Sequence, residues 1–228
     1  QEGAYVYYPF EDLIALLRLE SHRNRCAVVG EDMGVVPQEL RERMADTRVY
    51  SNKLFYFERE PNQQFSYPQD QQEDSLLMVT NHDVATLAGW WSGTDLKLKS
   101  QFGSEQNQPK LSSQLSERRQ DKSRLLAWLE SLELLPAGWS SHSATELPDK
   151  AFDIQLCRAI LVANARGRSE MMLFQLDDLQ LLEEPVNIPG THREYPNWRR
   201  KQKVETREVF EDPVIKDVLA AIDGERRR

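Results

Sequence analysis

The sequence predicts an α/β protein built on a parallel sheet, and three observations predict it. Short continuous apolar runs at Cys26–Val29 and Leu76–Thr80 have the length and character of strands covered on both faces. Amphipathic stretches with helical spacing separate most of the candidate strands, the alternation that crossover connections need. Each of the two runs is followed by an acidic motif, Gly30-Glu31-Asp32 and Asn81-His82-Asp83. A parallel sheet keeps its chemistry at the C-terminal ends of its strands, and these motifs stand there.

Taken in order, Pro9–Glu20 places Phe10, Leu13, Ile14 and Leu17 at helical spacing, with Pro9 suited to a first turn. Cys26–Val29 is the first strand, and Val36–Leu40 opens a short helix behind Pro37. Tyr50–Phe57 alternates and is aromatic, so it reads as the second strand, and Leu76–Thr80 as the third. Asp83–Trp91 turns into a helix, with Asn81 or Asp83 as its cap. Residues 92–120 are polar but carry Leu96, Leu98, Phe102 and Leu111, which predicts a loop plus a surface helix. Helices follow over Asp121–Leu135 and Asp149–Ala165, then a strand over Met171–Leu176. A short helix over Asp177–Glu184, capped by Asp177, leads into an irregular Pro-, Gly- and aromatic-rich segment from Pro185 to Trp198. A final helix spans Pro213–Ile222 and stops at Gly224. Four strands suffice for an open sheet or for half of a (β/α)₈ barrel, and a complete barrel needs eight.

Composition narrows the function. A net charge of -8 argues against a nucleic-acid-binding surface, and the terminal Arg226-Arg227-Arg228 reads as a solvated helix end. No apolar run reaches the length of a membrane span, so no membrane partner is expected. Cys26 and Cys157 lie in apolar stretches and read as free buried thiols, which suits a cytoplasmic protein. The four histidines are scattered and no Cys-x-x-Cys occurs, so no metal or other cofactor is expected. Gly-rich phosphate loops and Gly-x-Ser-x-Gly are absent, which argues against a nucleotide-binding sheet and against the commonest α/β hydrolases.

The strand-end carboxylates carry the chemistry. Glu31, behind Gly30 and half shielded by apolar neighbours, suits a proton donor with a raised pKa. His82 with Asp83 suits binding of vicinal sugar hydroxyls and stabilisation of an oxocarbenium-like charge. The same residues read equally as helix caps and loop carboxylates, and local pattern leaves both readings open. Among the aromatics, Trp90, Trp91 and Trp139 read as core, while Tyr195 and Trp198 sit in a loop where a ring can stack on a sugar face.

At these residues the chain resembles a known family. Gly30-Glu31-Asp32-Met33-Gly34-Val35-Val36-Pro37 is similar to the fifth-strand motif of amylomaltases, the bacterial 4-α-glucanotransferases of glycoside hydrolase family 77. Asn81-His82-Asp83-Val84-Ala85-Thr86-Leu87-Ala88-Gly89-Trp90-Trp91 resembles their seventh-strand motif. Glu184-Pro185-Val186-Asn187-Ile188-Pro189-Gly190-Thr191 and Pro196-Asn197-Trp198-Arg199-Arg200-Lys201 resemble their C-terminal loop, and Gly3–Val6 and Tyr8–Leu13 also fit.

The resemblance implies the C-terminal half of a (β/α)₈ TIM barrel, with residues 1–228 forming part of one catalytic domain whose upstream half is absent. It implies Glu31 as general acid/base, Asp83 as transition-state stabiliser, and His82, Asn187 and Trp198 as substrate-binding residues. The implied reaction moves α-1,4-glucan segments from a maltodextrin donor to a glucose or maltodextrin acceptor with retention of configuration. The family's nucleophile is an Asp in an Arg-x-Asp-His motif, which this chain does not contain. The chain is therefore expected to be inactive alone for want of the nucleophile Asp, with the missing N-terminal half of the barrel as its partner. A non-catalytic carbohydrate-binding module is the alternative.

Overall fold

A computed structural model of the chain describes residue 6 and residues 8–32, 36–102, 110–142 and 150–227. Four strands form one sheet in chain order: β1 (Val29–Gly30), β2 (Tyr50–Leu54), β3 (Ser75–Met78) and β4 (Met171–Leu173). All three pairings are parallel, with Val29 opposite Tyr50, Ser51 opposite Ser75, and Leu76 opposite Met171. Because the strands run the same way, their C-terminal ends share one edge of the sheet, and both acidic motifs emerge there.

The described α-helices are α1 (Phe10–Asn24), α2 (Gln38–Thr47), α3 (Leu87–Ser92), α4 (Thr94–Phe102), α5 (Leu111–Ser131), α6 (Ile154–Ala165), α7 (Leu176–Leu179), α8 (Thr206–Glu211) and α9 (Pro213–Arg226). The core lies where α5 and α6 cover the sheet. Leu125, Leu126 and Leu129 of α5 meet Leu156, Ile160 and Leu161 of α6, all fully buried or nearly so. The β2–β3 connection contributes Phe65, which stacks on Phe55 at 4.7 Å, and Trp128 tilts against Phe55 at 5.4 Å. These rings bury large areas and fill the layer between sheet and helix.

Several element boundaries differ from the sequence reading, each for a tertiary reason. The first strand is only Val29–Gly30, and Cys26 is exposed rather than buried, because its N–H closes the end of α1 on Ser21 O at 3.0 Å. The second strand stops at Leu54, where a 3₁₀ turn over Phe55–Phe57 tips Phe55 into the core. Polar residues 94–120 are largely helical in the described part. Arg118 of α5 grips Asp95 of α4 with two bonds of 2.9 Å and also donates to Trp90 O, so a charge pair extends α5 back to Leu111.

The helix predicted from Asp149 is described from Ile154, with Asp153 capping it through Leu156 N at 2.8 Å; residue 149 lies outside the described residues. Gly224 does not end α9. That helix continues to Arg226, whose guanidinium bonds Gly167 O and Glu170 O, so the basic tail is anchored at Arg226 rather than frayed. Leu13, Leu16, Leu17 and Leu19 of α1 are exposed, and only Ile14 of that helix is buried.

Candidate functional site

The site is built outward from the end of β3. Val79 continues the ladder, donating to Leu173 O at 2.8 Å, and the chain then turns away from the sheet. The Asn81 side chain accepts from Asp83 N at 2.9 Å, a local Asx turn that Asn forms readily. This turn lifts His82 and Asp83 to its tip, where their side chains are 52% and 51% exposed and open to a ligand. Neither Asn81 nor Asp83 caps α3. That role falls to Thr86, whose hydroxyl accepts from Gly89 N at 3.0 Å.

Two distant residues meet the tip. Asn187 Nδ2 donates to Asp83 Oδ1 at 2.8 Å, while His82 Nε2 lies 3.1 Å from Asp83 Oδ2. One carboxylate oxygen is therefore held by a hydrogen bond from the loop after α7, and the other lies beside the imidazole of the turn itself. The Trp198 ring tilts against His82 with centroids 5.1 Å apart and stays 62% exposed. Trp198 holds φ at +62°, a conformation a bulky residue rarely adopts, and its N–H is fastened to Val186 O at 2.8 Å. Tyr195 does not share that exposure. It is buried with its hydroxyl donating to Pro185 O, so it braces the loop and does not present a ring to a sugar.

Glu31 follows β1 on the same edge of the sheet. It is exposed rather than half shielded, because β1 pairs only with β2 among the described residues and leaves its far side open. With β2 between them, the β1 and β3 backbones stand about 10 Å apart, so Glu31 and Asp83 follow strands two places apart at the same end of the sheet. Asp32, its neighbour, turns inward and is structural: it accepts from Ser51 Oγ at 3.0 Å and Asn52 N at 2.8 Å, locking the β1 end to β2. Asp32, Arg41, Asn52, Lys53, Phe57 and Glu58 line a cavity of about 170 Å³ at this end of the sheet. Burial pushes the Glu58 carboxyl up, against the pull of Lys53. Residues 33–35 of the first motif lie outside the described residues.

The structure thus brings four of the five expected site residues into contact and places Glu31 on the same edge. It also reveals Gln175, Asp178 and Thr80 beneath the turn. Asp178 accepts from Leu87 N at 2.8 Å and from the Thr80 hydroxyl, and its carboxylate reaches back to Gln175 N at 3.3 Å. The short helix α7 accordingly starts after Gln175, and the predicted cap Asp177 instead pairs with Arg200 and accepts from Gln202 at 2.7 Å. The Gln-x-x-Asp spacing was the signal available in the sequence, since an acid three residues into a helix characteristically reaches back to its start. Among the described residues no cluster of His, Cys, Asp or Glu is arranged to hold a metal ion, and no described helix is long and apolar enough to cross a membrane.

The profile of the 4-alpha-glucanotransferase family matches residues 1–206. The chain belongs to that family. A 4-alpha-glucanotransferase of Haemophilus influenzae is 32% identical over 225 residues, which is 99% of this chain and 31% of that protein. One of Mycobacterium tuberculosis is 28% identical over 202 residues, 87% of this chain and 26% of its own length. The chain therefore spans less than a third of these 4-alpha-glucanotransferases. Among solved structures, amylomaltase from Corynebacterium glutamicum superposes with a TM-score of 0.83 at 22% identity, covering 96% of this chain and 32% of that one. Amylomaltase from Streptococcus agalactiae in complex with acarbose gives 0.61 at 17% identity, covering 99% and 36%. The four-stranded parallel unit is thus the α/β architecture of part of an amylomaltase barrel.

Proposed function

We propose that the polypeptide carrying this chain is a 4-α-glucanotransferase that moves α-1,4-glucan segments between maltodextrins with retention of configuration. The observation that carries this reading is the Asp83 carboxylate, held on one oxygen by Asn187 with His82 beside the other, at a parallel-strand C-terminus near an exposed Trp198 ring. Family membership supports the same chemistry, and the acarbose bound by the Streptococcus agalactiae protein supports an oligosaccharide as the ligand.

In this reading Glu31 protonates the glycosidic oxygen as the donor bond breaks, and then removes a proton from the acceptor hydroxyl as the new bond forms. Asp83 stabilises the positive charge that develops on the sugar ring in both steps. His82 and Asn187 bind sugar hydroxyls around that carboxylate, and Trp198 offers a stacking face. The nucleophile comes from an Arg-x-Asp-His segment outside these residues, so the 228-residue chain by itself turns over no substrate. Transfer outruns hydrolysis where an acceptor sugar fills the cleft better than water.

The test is incubation of the full polypeptide with maltotriose. Glucose and longer maltodextrins are expected, and Glu31→Gln and Asp83→Asn are each expected to lower turnover about 100-fold or more. Binding of maltodextrin without turnover by the full polypeptide would instead support a carbohydrate-binding module. Near-normal turnover in Glu31→Gln would remove that residue from the acid/base role.

A further inference from the structure

We infer that Gln175 and Asp178 are positioning residues for Asp83, holding the catalytic turn from beneath without touching substrate. This rests on the reading of Asp83 as the transition-state stabiliser. The turn that carries Asp83 begins at Thr80 and ends at Leu87, and both ends are tied to one carboxylate. Thr80 donates its hydroxyl to Asp178 Oδ2, and Leu87 N donates to Asp178 Oδ1 at 2.8 Å. Gln175 Nε2 completes the frame, donating to Thr80 Oγ1 at 3.1 Å and to Asn81 O at 2.9 Å. The order of donation is consistent throughout: amide to hydroxyl, hydroxyl to carboxylate.

Asp178 is fully buried, and a carboxylate there is a costly way merely to fill space. An apolar side chain of similar size would pack at least as well, but it could not accept from both ends of the turn. The two residues thus do what packing alone does not. They set the height and direction of the Asn81–Asp83 tip relative to β4, and so the aim of the Asp83 carboxylate. A misplacement of about 1 Å at such a group lowers turnover about 100-fold.

The experiment uses the full polypeptide, with maltotriose as substrate and melting temperature measured in parallel. Gln175→Leu removes both donors, and Thr80→Val removes the hydroxyl link with little change in shape. Each is expected to lower kcat about 30-fold or more with KM within about twofold, the signature of a misaimed stabilising group and not of lost binding. Cys157→Ala is the control for packing, because Cys157 is fully buried on α6 and its Sγ meets Asp178 at the backbone O, 3.5 Å away, and not at the carboxylate that ties the turn. It is expected to lower the melting temperature while leaving kcat within about twofold of wild type.

Near-wild-type kcat in both Gln175→Leu and Thr80→Val would overturn the inference. So would a kcat loss in Cys157→Ala that scales with its melting temperature as theirs does. Asp83→Asn separates the two levels of argument. If it alone is inactive, the positioning role fails and the reading of the site stands; if it is active, the reading of the site fails.

Discussion

Asp32, Asp83 and Asp178 show three fates for one side chain. Asp32 is buried and locks β1 to β2 through Ser51 and Asn52. Asp83 is half exposed, with one oxygen held by Asn187 and the other beside His82. Asp178 is buried, and burial pushes its carboxyl up from 3.8 to about 6 against the opposing pull of Thr80, Leu87 N and Gln175 N, with Asp177 adding to the rise. The folded state therefore holds this proton to higher pH than the unfolded chain does. Between about pH 4 and 6 folding takes up a proton at Asp178, so this group's contribution to stability falls as pH rises through that window and is at its least favourable above it. Asp178→Asn is expected to flatten this part of the stability profile, read as denaturation midpoints across that range. An unchanged slope would place the proton elsewhere.

At the scale of elements, α3 shows how closely the site is fitted. A Cβ on Gly89 would stand 2.1 Å from Glu183 O, a backbone atom that cannot swing aside. Gly89→Ala is therefore expected to destabilise the fold by about 3 kcal/mol and to push the 182–183 segment, with the loop behind it, away from the turn. Gly30→Ala should be milder, because the atom in its way is the Met44 methyl at 2.7 Å, the end of a flexible side chain. Melting temperatures of the two variants check the order, and a smaller loss for Gly89→Ala would contradict it. Helix and strand existence was legible from periodicity, since each element has to present an apolar stripe or run to the core. Element ends were not. α9 runs through Gly224 because Arg226 finds carbonyls at Gly167 and Glu170, and β2 stops at Leu54 because Phe55 is drawn inward. Partners distant in sequence decided those ends.

At the scale of the whole molecule, the apolar residues of α1 are the most conspicuous surface. Leu13, Leu16, Leu17 and Leu19 are exposed on α1, and Val29 is exposed on the edge strand β1. Exposed apolar side chains, together with a strand edge that is unpaired among the described residues, favour association in water. The isolated 228-residue chain is expected to self-associate, and Leu16→Glu with Leu19→Glu is expected to shift it toward monomer in sedimentation velocity. A wild-type chain that sediments as a monomer at tens of micromolar would contradict this.

Much of the candidate site was legible in the sequence because its parts are covalently local. Strand and motif sit side by side at Val29–Glu31 and at Leu76–Asp83, so the carboxylates could be assigned to strand ends before any contact was known. Order and parallel pairing followed from the alternation of strands and helices, and family membership followed from the motifs that this order aligns. What only the tertiary structure decided is who stands against whom. Asn187 reaches Asp83 from 104 residues away, and Asp178 braces Thr80 from 98 residues away. It also decided that Glu31 faces outward while Asp32 turns in, and that Trp198 is exposed while Tyr195 is buried. The physical reason is that periodicity and adjacency act within a few residues of chain, whereas burial and hydrogen bonding are settled by groups that meet only when the chain has folded.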